Sequence, residues 1–121
     1  MSENDFSILF DRLKALLVPY ASSLNVIDDQ PDKYYLETGY SEKWKKPLFF
    51  GSAIVQKNYV SFYLMPVYMY PELLKGISPE LQKRMQGKSC FNFKSLIGET
   101  VGELEKLAGL GVERLKSEEN R

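Results

Sequence analysis

The chain has 121 residues, 44% of them apolar and 13% aromatic, and its 16 basic residues are balanced by 16 acidic ones. That length and apolar share suit one domain, residues 1–121, with a core that needs no staple. Zero net charge argues against a general electrostatic drive toward nucleic acid or anionic membrane, which rests on an excess of Lys and Arg. There is no histidine and one cysteine, Cys90. Their scarcity excludes His-based and thiolate zinc sites, His-dependent triads and an intrachain disulfide.

Phe6, Leu9, Phe10, Leu13, Leu16 and Leu17 recur at three- and four-residue spacing, which predicts an amphipathic helix over residues 4–18. Ser2 or Asn4 would cap it, and Pro19 would end it by disfavouring helical geometry at Val18. Asp28-Asp29-Gln30-Pro31-Asp32 is turn chemistry, and Tyr34 to Thr38 reads as a short strand. Gly39 to Pro47 is a polar loop carrying Trp44 among Lys43, Lys45 and Lys46.

Leu48 to Gln56 and Tyr59 to Met65 predict two strands joined by a tight turn at Lys57-Asn58. Such a turn places Val55 opposite Val60, Ala53 opposite Phe62 and Gly51 opposite Leu64. Strand alternation puts these pairs on the core face together with Phe49, and puts Phe50, Ser52, Ile54, Tyr59, Ser61 and Tyr63 on the other. Pro66 ends the second strand, and Tyr70 to Gly76 reads as a short helical turn. Ser78-Pro79-Glu80-Leu81 is a helix start, with a capping serine and proline at the first helical position, and the helix is expected to stop at Gly87. Ser89 to Phe93 alternates as a last strand. Ile97, Val101, Leu104, Leu107, Ala108 and Leu115 then form the stripe of a C-terminal helix whose Glu99, Glu103, Lys106 and Glu113 face water. Gly98 and Gly102 would let that helix lie close to the sheet, Gly109 and Gly111 would kink or fray it, and a mobile tail is expected from Ser117.

Helices at both ends with strands between them predict an α+β fold, a short antiparallel sheet with the terminal helices packed on one face. Two segments carry a resemblance. One is Val60-Ser61-Phe62-Tyr63-Leu64-Met65-Pro66 leading into Pro71 to Lys75; the other is Gly87-Lys88-Ser89-Cys90-Phe91-Asn92-Phe93-Lys94. In these the chain resembles the YdhG-like bacterial family, small domains of unknown function. The resemblance implies a frataxin-like arrangement, and some members of that family have been proposed as intracellular iron chaperones. Iron carriage would need exposed carboxylates, since His is lacking, whereas helix 1 offers only Glu3, Asp5 and Asp11.

No residue set reads as a catalytic constellation, so an enzyme is not expected. Gly87-Lys88-Ser89 fails as a phosphate loop, because the glycine required five residues earlier is Gln82 and the order of strand and helix is reversed. Lys88 with nearby backbone N–H groups remains an anion-holding candidate. Cys90 lacks an activating base and reads as structural. Asp28, Asp29 and Asp32 lack calcium-loop spacing.

The aromatic set is the most informative: Tyr34, Tyr35, Trp44, Phe50, Tyr59, Tyr63, Tyr68 and Tyr70. With lysines close by it would suit a small anionic or planar ligand, but a contact with a second copy and ordinary packing stay open as readings. The expected function is a non-enzymatic binding or carrier module for a small molecule or protein partner, using Tyr59, Tyr63, Tyr68 and Lys88, with an iron-binding chaperone as the alternative. No cofactor and no metal ligand set is expected. The acidic, polar start at Met1 to Asp5 and the short apolar stretch Phe62 to Tyr70, interrupted by Pro66, predict a cytoplasmic protein with no membrane and no nucleic-acid partner.

Overall fold

A computed structural model of the chain describes residues 6–22, 24–41, 45–87, 89–94 and 98–119. Helix α1 spans Ser7–Leu17 and passes into a 3-10 turn at Val18–Tyr20, where Pro19 interrupts α-helical bonding. Strands β1 (Asn25–Gln30), β2 (Lys33–Ser41), β3 (Lys46–Val55) and β4 (Val60–Leu64) follow. After them come α2 (Met65–Met69), a 3-10 segment (Pro71–Gly76), α3 (Pro79–Gln82), β5 (Cys90–Phe93) and α4 (Gly98–Glu119). The five strands form one antiparallel sheet in the order β1-β2-β3-β4-β5. This is an α+β fold. The capping candidates Ser2 and Asn4 lie outside the described residues.

The core is one cluster between the helices and a single sheet face. It joins Leu9, Phe10, Leu13, Leu16 and Leu17 of α1 to Leu104, Leu107, Ala108, Val112 and Leu115 of α4. The strands add Tyr34, Leu36, Ala53, Val60, Phe62, Leu64, Phe91 and Phe93. Removing one such large apolar side chain from water is worth roughly 1.5–3 kcal/mol.

The β3–β4 hairpin has the register predicted from its turn: Gly51 faces Leu64, Ala53 faces Phe62 and Val55 faces Val60. Gln56 N–H donates to the Tyr59 carbonyl at 2.8 Å and closes the two-residue turn. The expected facing of Phe49 and Phe50 is reversed, however. Opposite β2, Leu36 pairs with Gly51 while Glu37 pairs with Phe49, so Phe50 is an extra residue in β3. The bulge breaks the two-residue alternation and turns Phe50 inward beside Gly51. Phe50 is fully buried, and its ring meets Tyr20 edge-on at 6.0 Å. Phe49 falls on the opposite face.

Further expectations are corrected. The Asp28 to Asp32 segment contains a strand: β1 runs to Gln30, and only Pro31 and Asp32 make the turn. As the outer strand β1 is mostly exposed and shows no apolar alternation, and its carboxylates instead meet Lys14 (Asp29, 2.8 Å) and Lys33 (Asp28, 3.4 Å). The polar loop is shorter than Gly39 to Pro47, because β2 and β3 extend into it to Ser41 and from Lys46. β4 ends before Pro66, as expected, and Pro66 occupies the first turn of α2, where its missing N–H costs nothing. α3 stops at Gln82 rather than Gly87, because the next residues pair with β5: Asn92 N–H donates to the Arg84 carbonyl at 2.7 Å, and Gln86 N–H to the Cys90 carbonyl at 2.9 Å. Finally, α4 is continuous to Glu119, so the helix persists past Ser117. Its close approach is not at exposed Gly102 but at buried Gly111, where a Cβ would lie 2.8 Å from the Cβ of Pro66.

Glu103 is half-buried rather than turned out to water. Its two carboxylate oxygens accept the Ser78 N–H at 2.7 Å and the Ser78 hydroxyl at 2.6 Å. The Ser78 oxygen in turn accepts Leu81 N–H at 3.2 Å as the cap of α3. One carboxylate thereby ties a short helix to α4, which its own four residues could not stabilise alone. Ser78→Ala removes the cap and one charge-assisted bond, and is expected to lower stability by about 1–2 kcal/mol in urea denaturation. A loss below about 0.3 kcal/mol would show that the cap contributes nothing.

Candidate functional site

The helices cover one face of the sheet, and the other carries rows of side chains set by the ladder. One row runs Tyr35, Ser52, Tyr63, Cys90 across β2 to β5. The next runs Lys33, Ile54, Ser61, Asn92. The bulge adds Phe49 beside Tyr35 (ring centroids 4.8 Å apart, tilted) and Tyr63 (6.4 Å, edge-on). Three aromatic rings therefore touch on the face away from the helices, which β2, β3 and β4 position separately.

Between the rings the small serines lie low. Ser52 and Ser61 are 1% and 2% exposed. Asn92 Oδ1 accepts the Ser61 hydroxyl at 2.9 Å and the Cys90 thiol at 3.3 Å, which fixes the amide and turns its NH2 away from both. Burial pushes the Cys90 thiol above its ordinary range. Burial likewise raises the Tyr63 hydroxyl, and the Cys90 thiol beside it adds to the rise. At neutral pH the middle of the face is thus uncharged, made of hydroxyls, an amide, a protonated thiol and rings. A protonated, 7% exposed thiol is a poor nucleophile, so Cys90 has a packing role.

The same shifts set a pH dependence. Burial also raises the Tyr20 and Tyr34 hydroxyls. For each group the folded chain holds a proton that the unfolded chain gives up sooner. Their contribution is therefore complete below the ordinary thiol value of 9.0 and is lost as pH rises through the raised values. With no histidine in the chain, the urea midpoint should stay level from about pH 6 to 8 and fall in alkali. A midpoint that rises above about pH 9 would contradict the assigned burial.

At one end of this face lies a pocket of about 670 Å³. The start of β3, from Lys46 to Phe49, forms one wall, and Met65 with Tyr68 to Tyr70 of the α2 region forms the other. Phe49 belongs to both the ring cluster and the pocket, so the two are continuous. Tyr70 is stacked under the Arg114 guanidinium at 4.4 Å, and Arg114 pairs with Glu72 at 2.7 Å.

The residues expected to form a site are spread over this surface. Tyr63 lies in the ring cluster, and Tyr68, 54% exposed, lines the pocket. Tyr59 sits in the hairpin turn just before β4, four positions from Tyr63, a rise of roughly 13 Å. Lys88 and Trp44 lie outside the described residues. Tyr34 and Phe50 belong to the core, leaving Tyr35 from the β2 pair on the open face. Sequence reasoning missed Phe49, and it missed Asn92 as the acceptor that organises Ser61 and Cys90. A two-residue alternation gives no warning of a bulge, and the alternation in Ser89 to Phe93 signals a strand without saying which face meets Ser61.

Among the described residues no three or more Asp, Glu or Cys are grouped to hold a metal ion. No described helix is long and apolar enough to cross a membrane. No protein-family model matches this sequence, and neither a curated protein nor a solved structure matches it.

Proposed function

We propose that this chain is a non-enzymatic binding or carrier module of the YdhG-like type, which takes a small ligand in the pocket at the end of the open sheet face. The observation that carries this reading is Phe49, a half-buried ring displaced by the bulge onto the open face and shared between the ring cluster and the pocket wall. A pocket of about 670 Å³ lies within the range of roughly 300–1,000 Å³ typical of small-molecule sites, and an apolar wall with few polar groups is their usual chemistry. Tyr63 and Tyr68 flank Phe49 as rings with polar tips, suited to one apolar and one wet side of a ligand. The uncharged centre of the face supplies neither a general base nor an activated nucleophile, which favours binding over chemistry.

A thermal-shift panel of metabolites, nucleotides, aromatic acids and divalent metals tests the reading. A ligand at about 100 times its dissociation constant stabilises the fold by roughly 2.7 kcal/mol, a rise of about 10 °C for a domain of this size. Tyr68→Ala and Phe49→Ala should each abolish most of a hit while leaving the unliganded fold intact. A hit that survives both substitutions would place binding elsewhere, and a response to iron alone would favour the chaperone alternative.

A further inference from the structure

The geometry points to one ligand class for this pocket: a flat, mostly apolar molecule bearing a single negative charge. The inference rests on the binding-module reading and goes on to name the ligand's chemistry. Among the described residues that line the pocket, Lys46 is the one that carries a charge, and none is a carboxylate. Lys14 and Lys33 are matched by Asp29 and Asp28, and Arg114 by Glu72. Among the described residues Lys46 has no such partner. Arg114 lies over the Tyr70 ring at 4.4 Å and is paired with Glu72 at 2.7 Å, so this pair adds no net charge beside that wall.

The remaining lining restricts shape. Phe49 and Tyr68 offer ring surfaces, and Met65 and Met69 offer polarisable thioethers that pack well against aromatic rings. A ligand made mainly of rings would contact these walls. An anionic group on its edge would reach Lys46 at the exposed mouth, where water solvates the remainder of the charge. Among the described residues a cationic ligand would find no charge but that of Lys46, and a strongly polar neutral one would strip water from its own groups against apolar walls.

Two fluorescent probes with matched ring systems test the class directly: anilinonaphthalene sulfonate, an anion, and phenylnaphthylamine, which lacks the charge. The sulfonate should bind about five-fold tighter at low salt, a size suited to an exposed charge pair. Lys46→Gln should bring the two affinities together by weakening the sulfonate alone, and salt at about 0.5 M should do the same in the unmodified protein. Lys57→Gln, in the distant hairpin turn, should change neither, and Tyr68→Ala should weaken both. Urea denaturation of each variant verifies that it is folded. Equal affinity for the two probes, or a preference that survives Lys46→Gln, overturns the anionic class and leaves the binding module standing. Failure of both probes to bind overturns the module and the class together.

Discussion

Phe50→Ala should lower the stability of the domain by about 3–5 kcal/mol, while Phe49→Ala should cost less than about 1.5 kcal/mol. The residues are adjacent and chemically identical, so the contrast isolates which face each occupies. Phe50 is fully buried, meeting Tyr20 and the α1 side of the core, and its truncation leaves a cavity that the surrounding strands and helices cannot close. Phe49 sits half-buried on the open face against Tyr35 and Tyr63, where water refills the lost volume. Urea denaturation of both variants with unchanged slopes gives the two numbers. Equal costs, or the reverse order, would mean that β3 has no bulge at Phe50, and the pocket wall assigned to Phe49 would go with it.

Gly51→Ala should cost about 3 kcal/mol, at the upper end for a single added methyl group. A Cβ there would lie 2.8 Å from the Tyr63 carbonyl oxygen and 3.2 Å from Cδ2 of Leu17. The first contact is backbone already committed to the β3–β4 ladder, so it cannot move aside without straining the pairing of Ser52 with Tyr63. The second is a fully buried side chain of α1. Gly76→Ala is the control, because nothing lies within 4 Å of the added carbon, and it should stay within about 0.5 kcal/mol of the parent. If Gly51→Ala proved as mild as the control, α1 would not be seated on the sheet at Leu17. The two predictions bear on one structural idea: the bulge and the adjacent glycine let α1 and Phe50 enter the core together while Phe49 leaves it.

Much of the site is legible in the sequence as composition but not as position. Tyr63 and Tyr68 are visible as aromatic residues near a strand end, and Lys46 as part of a lysine-rich loop. What joins them is Phe49, which strand alternation assigns to the wrong face because one extra residue shifts the parity of everything before it. Glu103 is misjudged for a related reason. On its own helix it belongs to the polar side, yet that side meets Ser78, twenty-five positions earlier in the chain. Strand β1 escapes notice because an edge strand pairs on one side only and keeps polar, acidic side chains, a pattern that also reads as turn chemistry.

Near neighbours along the chain account for part of this fold. The three- and four-residue spacing of α1 and α4, the Lys57-Asn58 turn and the hairpin register it imposes, and the Ser78 cap are local consequences of side-chain spacing and backbone preference. The α+β arrangement follows from the order of those elements. Where α3 stops, which glycine receives a neighbouring helix, and which of two adjacent phenylalanines is buried depend on contacts between distant parts of the chain. Each of these is settled by competition between distant groups for the same space or the same backbone hydrogen bonds: β5 takes the carbonyl of Arg84, Pro66 fills the room beside Gly111, and Tyr20 and Leu17 close around Phe50 and Gly51. That competition has no signature within a window of a few residues, and it is what places the pocket at the end of the open face.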